Sequence, residues 1–193
     1  MICLRRPSAD QIARYVEEQR RLGLSYSEVG ASSGTPPVRY NVDASQIDLG
    51  TGRGTFVRAV AAVQAWKMFD FDWIELFDPS APIEVGTVVA TLIHSLGLWF
   101  LNGTRLVYVI DEERRFGFAY GTLEGHVERG EERFLVEHLP DDTVRYSILA
   151  FSRPAHPLVR LGNPYARHLQ SRFRSSSMAA MRRNLELDVA VEE

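Results

Sequence analysis

The stretch RFGFAYGTLEGHVERGEERF, residues 115–134, holds His126, Glu128, Glu131 and Glu132 within seven residues. An imidazole among carboxylates is the composition from which acid–base sites and metal sites are made. Each chemistry makes a demand that spacing can test. A metal would need His126 with Glu128 or Glu131 and a distant ligand such as His94, His138 or His168, and none of these spacings is a ligand motif. No metal and no cofactor is expected, and His126, between Gly125 and Gly130, reads as a loop-pinning or solvent-exposed side chain. Ser152 and Cys3 lack an identifiable base partner, and no Gly-x-Ser-x-Gly elbow occurs, which disfavours nucleophilic catalysis.

Period-two alternation assigns the carboxylates to faces. Phe116, Phe118 and Tyr120 share one face of their strand. In the next strand Phe134 and Val136 mark the same apolar face, which turns Glu132 inward and Glu131, Arg133 and Glu137 outward. Adjacent glutamates on opposite sides cannot form a catalytic pair. Glu132 alone is the candidate acid–base residue, because a desolvated carboxyl has a raised pKa. The competing expectation is that it pairs with an arginine of the last helix or sits in water at the strand mouth. Tyr108, beside Leu106 and Ile110, and Tyr146, beside Val144 and Ile148, are read as inward too.

The elements that must position these groups follow from periodicity and punctuation. Ser8 and Gln11 form a capping-box pattern ahead of a helix that stops at Gly23. Residues 26–38 are a Gly-, Ser- and Pro-rich loop, 39–49 a strand, and LGTGRG at 49–54 a turn into a second helix. That turn resembles a phosphate loop but lacks its Gly-Lys-Ser or Gly-Lys-Thr ending. WIELF at 73–77 reads as a strand. Five more strands are expected near 85–94, 98–110, 114–123, 130–139 and 143–152, in an antiparallel meander. Residues 85–101 carry a single ionisable group, His94, but fall short of the roughly 20 apolar residues of a membrane span, so they are read as two strands. A long amphipathic helix closes the chain, with Tyr165, Leu169 and Phe173 on its apolar face.

This order predicts an α+β fold: a curved antiparallel sheet of about six or seven strands around a long C-terminal helix, the START-like helix-grip architecture, with an extra N-terminal helix. The expected organisation is one domain over 1–193, with an N-terminal helix in 1–25, the sheet and one inserted helix in 26–162, the C-terminal helix in 163–186 and a frayed tail in 187–193. The motifs SYSEVGAS, LGTGRGTF, RFGFAYGTLEGHVERGEERF and AFSRPAHPLVRLG together resemble the family catalogued as domain of unknown function nineteen-ninety, from about Tyr26 to Met181. That resemblance implies no reaction and no catalytic residues.

Composition narrows the partners. The chain has 193 residues, 45% of them hydrophobic, and a net charge of −3, with no global pull toward nucleic acid or membrane. The eight arginines between Thr143 and Leu185 are read as a solvated or internally paired face, their partners expected in the acidic meander. A single cysteine and an N-terminus charged from Arg5 point to the cytoplasm. The leading expectation is a small apolar or amphipathic ligand in a cavity between sheet and C-terminal helix, lined by Tyr108, Phe118, Tyr120, Glu132, Phe134, Tyr146, Tyr165 and Phe173. The alternatives are an enzyme using Glu132 and an interaction module using the basic helix on an anionic partner.

Overall fold

The computed structural model describes residues 1–155 and 163–192. In chain order it contains β1 (Ile2–Cys3), α1 (Ala9–Gln19), β2 (Asn41–Thr51), α2 (Gly52–Gln64), β3 (Ile74–Phe77), β4 (Val88–Ser95), β5 (Leu98–Glu112), β6 (Arg115–Thr122), β7 (Glu128–His138), β8 (Thr143–Pro154) and α3 (Asn163–Glu192). Short 3-10 turns occupy Ala31–Ser33 and Lys67–Phe69. The sheet order is β2-β8-β7-β6-β5-β4-β3, with β1 paired to β5. Every pairing is antiparallel. The sheet curls around α3 as a half-barrel, which is the helix-grip arrangement that the element order implies. The expected boundary at 162, Arg160 of the basic face and the end of the AFSRPAHPLVRLG motif lie outside the described residues.

Local chemistry sets the elements. Ser8 and Gln11 exchange their capping-box bonds at 2.8 and 3.3 Å, which fixes the start of α1. Leu96 and Gly97 both take positive φ, 52° and 74°, and so form the tight turn whose twist suits a two-residue hairpin between β4 and β5. Residues 85–101 therefore contribute strands and their hairpin turn, and no helix among the described residues is long and apolar enough to cross a membrane.

The two faces of the sheet are covered differently. On the convex side Ile12 and Tyr15 of α1 bury Ala90, Leu92 and Leu101. The concave side holds the main core: Phe56 and Val63 of α2, then Trp66, Met68 and Phe69, pack against Leu106, Phe118, Phe134, Tyr146 and Ile148. Phe134 lies 5.3 Å from Phe118 and 5.9 Å from Phe69, ring centre to ring centre. Phe173 of α3 adds a ring 5.4 Å from Phe69.

Three expectations about this packing need correction. Tyr108 does not face the concavity. A bulge between Leu106 and Tyr108 inserts one residue, so Val109 rather than Tyr108 pairs opposite Phe118. The grip of α3 also lies further along the helix than its first apolar residues implied. Phe173, Ser177, Met178, Ala180, Met181 and Leu185 are buried, whereas Tyr165 is 40% exposed and Leu169 only half-buried. The reason is the surface beneath: up to Gln170 the helix meets polar side chains, and its contact with the aromatic core begins at Phe173. Finally, α3 continues to Glu192 rather than ending at 186.

Truncating Phe173 removes the ring that joins α3 to Phe69, Phe71 and Phe134. Phe173→Ala is expected to cost about 3 to 5 kcal/mol in denaturant unfolding. Leu187→Ala, at a position 58% exposed on the same helix, is expected to stay within about 0.5 kcal/mol.

Candidate functional site

β6 and β7 bring the first pair of site residues together. Tyr120 and Glu132 are direct cross-strand partners, and the Tyr120 hydroxyl donates to Glu132 Oε2 at 2.7 Å. Burial pushes the Glu132 carboxyl up to about 7, although the Tyr120 hydroxyl and Arg174 act in the opposite direction. The Tyr120 phenol is itself pushed upward, by burial first and then by the neighbouring carboxylate.

The helix arginines do not neutralise Glu132 directly. Asp43 of β2 takes both: Arg174 lies 3.1 Å from its Oδ1, and Arg167 Nη2 donates to Oδ1 at 2.7 Å while Nη1 reaches Oδ2. Arg167 also donates to Gln170, which donates to Ser152 of β8 at 3.2 Å. Tyr165 and Ser95 share a hydroxyl–hydroxyl bond of 2.6 Å. The first half of α3 is thus tethered to both sides of the sheet by polar bonds above a floor containing Tyr120 and Glu132. Glu128, four residues before Glu132 on the same face, has a buried Oε2 with no hydrogen-bond partner among the described residues. Its carboxyl is also pushed up to about 7 by burial, against the lowering effect of the Ser152 hydroxyl and Arg167.

The eight expected site residues fall into four places. Phe118, Phe134, Tyr146 and Phe173 belong to the packed core, and the first three are fully buried. The Tyr146 hydroxyl is satisfied by Ser177 at 2.8 Å. Tyr120 and Glu132 remain half-buried on the concave floor, and Tyr165 stands at its rim. Tyr108 lies behind the sheet, where its hydroxyl meets Ser32 Oγ at 2.7 Å. Two surface clefts, of about 270 and 360 Å³, lie elsewhere, beside α1 and between α2 and α3.

Glu131 lies on the face that alternation assigns to it, but alternation gives no sign of its burial. It points outward but is only 3% exposed. Its carboxylate accepts from the Tyr26 hydroxyl at 2.7 Å, from Gly30 N–H at 2.7 Å, from Ser32 N–H at 2.9 Å and from the Ser32 hydroxyl. The loop motif SYSEVGASS supplies all four donors, and that serine- and glycine-rich composition was the available signal. Gly121 is required beneath it, because a Cβ there would lie 2.2 Å from the Tyr26 hydroxyl oxygen. His126 pins its own loop, accepting from Glu128 N–H at 3.0 Å, and burial lowers its pKa to about 4, which leaves it neutral at pH 7. Four arginines of the C-terminal third, Arg145, Arg167, Arg174 and Arg183, have internal acidic partners, in Asp48, Asp43 and Asp70 rather than in the acidic meander.

Residues 25–180 match the family model described as Domain of unknown function (DUF1990). The chain belongs to the DUF1990 family. It is 36% identical over 195 residues to a UPF0548 protein of Dictyostelium discoideum, covering 90% of each chain. Among solved structures, TTHA0849 from Thermus thermophilus superposes with a TM-score of 0.55 at 12% identity, over 77% of this chain and 99% of that one. The hypothetical protein jhp0584 from Helicobacter pylori superposes with a TM-score of 0.53 at 12% identity, over 82% and 94%. At such identities these structures share the fold alone. The DUF1990 match includes SYSEVGASS and Glu131 as well as Tyr120, Glu128 and Glu132.

The two raised carboxyls give this DUF1990 protein a defined pH response. A folded-state pKa above the unfolded value means that the native state holds the extra proton, so the stability these two carboxyls contribute falls as pH rises from about 4.5 to about 7. The slope is at most about 1.4 kcal/mol per pH unit for each group. Glu132→Gln removes one such group. Its melting temperature relative to the native chain is expected to be higher at pH 8 than at pH 5, as followed by circular dichroism.

Proposed function

We propose that this protein binds a small amphipathic molecule between the first half of α3 and the concave faces of β4 to β8. One observation carries the reading: a half-buried carboxyl, Glu132, sits on the concave floor hydrogen-bonded to Tyr120 and, among the described residues, without a direct ion pair, because Asp43 holds both Arg167 and Arg174. A carboxyl left this way in a packed interior costs stability unless a ligand compensates it. The half-buried pair Ile93 and Phe100 supplies apolar wall on the neighbouring strands, and the polar tethers of α3 offer a breakable lid. This arrangement, an apolar wall with a few placed polar groups, is that of small-molecule sites. The lone Cys3 is compatible with action in the cytoplasm.

A second reading gives Glu132 an acid–base role on the bound molecule, favoured by a carboxyl near pH 7 beside a phenol. The basic-helix interaction module is less supported, since Arg167, Arg174 and Arg183 all have internal acidic partners.

Native mass spectrometry of the purified chain is the test. A small-molecule adduct is expected on the native protein and reduced on Tyr120→Phe, a substitution that keeps the ring. An adduct-free protein that also shows no amide shift changes near Tyr120 when challenged with a cell extract overturns the reading.

A further inference from the structure

Resting on that proposed groove, its chemistry specifies the ligand's head. We propose that the groove selects amphipathic amines, seating a protonated nitrogen against Glu132 and Glu128 with the hydrocarbon part along Ile93 and Phe100.

The reasoning is one of unmet hydrogen-bonding capacity. Glu132 uses Oε2 to accept from Tyr120, and Glu128 has a buried Oε2 with no partner among the described residues. An ionised carboxylate only accepts, so both call for donors. A separate observation comes from β5. Thr104 is 5% exposed, and its hydroxyl has no partner among the described residues. The register places Thr104 opposite Thr122 and two residues from Leu106, the partner of Tyr120, hence on the same concave face. A buried orphan hydroxyl is rare in a finished interior and marks a place for a polar group.

Among the described residues the same floor offers little to an anion. The inward positions that surround the two carboxylates on β6, β7 and β8 are Tyr120, Thr122, Gly130, Ala150 and Ser152, with no base among them. His138 shares this parity but lies at the far end of β7, where its Nε2 is 2.6 Å from Asp142. The basic groups near the carboxylates come from α3, Arg174 toward Glu132 and Arg167 toward Glu128, and both are bonded to Asp43. A fatty-acid carboxylate would have to break those bonds and would face Glu132. An ammonium needs neither, and along one strand residues four apart are roughly 13 Å from each other, within reach of two extended side chains and one nitrogen between them.

The groups that set the pH response of Glu132 are Tyr120 from β6, Asp43 from β2 and Arg174 from α3; those facing Glu128 are Ser152 from β8 and Arg167 from α3. A bound ammonium favours the charged carboxylates, so amine binding releases protons and weakens as pH falls from about 8 to about 6.

The test uses three probes of one chain length, decylamine, 1-decanol and decanoate, titrated calorimetrically into the full chain below their aggregation concentrations. Decylamine is expected to bind at least tenfold more tightly than decanol at pH 8, and decanoate more weakly than either. Glu132→Gln should erase most of that preference while keeping the decanol affinity, and Glu128→Gln provides a second variant should the first fail to fold. Glu113→Gln, on the exposed β5–β6 turn, should keep the preference and so separates the groove from general surface charge. Equal binding of amine and alcohol, or a preference that survives both groove substitutions, overturns the head-group assignment and leaves the groove standing. Failure of all three probes to bind overturns the groove reading as well.

Discussion

One aromatic ring joins the layers of this fold. Phe134 sits on the concave face of β7 within 5.3 Å of both Phe118 and Tyr120, 5.9 Å of Phe69 and 6.2 Å of Phe173. A sheet strand, its neighbour, the turn after α2 and the C-terminal helix therefore meet at a single side chain. Burying such rings is worth roughly 1.5 to 3 kcal/mol each, and edge-to-face contacts add to that. The helix can grip because the sheet curls far enough to surround this cluster. Beyond the cluster's edge, the start of α3 from Tyr165 to Gln170 is held by polar bonds instead.

That division of labour separates the packed core from the polar floor. Where rings fill the concavity there is no room for a ligand, and the second half of α3 is fixed. Where the floor turns to Tyr120, Glu132, Thr104 and Glu128, packing ends and unmet hydrogen-bonding capacity begins. Asp43 is central to this because it draws Arg167 and Arg174 to the β2 edge. The helix is thereby attached without committing its cations to the floor carboxylates.

Much of the fold was legible because alternation and turn chemistry are local signals. The Phe118–Phe134 pairing, the opposed directions of Glu131 and Glu132 and the turn between β4 and β5 all follow from residues close together in sequence. Tyr108 was misplaced because a bulge is a one-residue event that shifts every later parity and carries no glycine or proline here to announce it. Phe118 and Tyr146 were read as cavity walls because periodicity gives a face but not a volume: nothing near them in sequence reveals that Trp66 lies against Phe118 and Ser177 against the Tyr146 hydroxyl. The burial of Glu131 could not be read from its own strand for a related reason, since its donors come from a loop about 100 residues earlier.

Glu131 and Glu132 also give β7 a check on its own alignment. A strand that slips by one residue exchanges its faces. Such a slip would push Glu131 away from Tyr26, Gly30 and Ser32 into the aromatic centre, and would carry Phe134 out to the convex surface. Two carboxyls of nearly identical chemistry, seated in two different sets of partners on opposite sides of one strand, therefore make the shifted pairing far costlier than the loss of one hydrogen bond. In an eight-stranded sheet whose central strands are otherwise rich in interchangeable apolar residues, that glutamate doublet fixes the register of β7 against its neighbours.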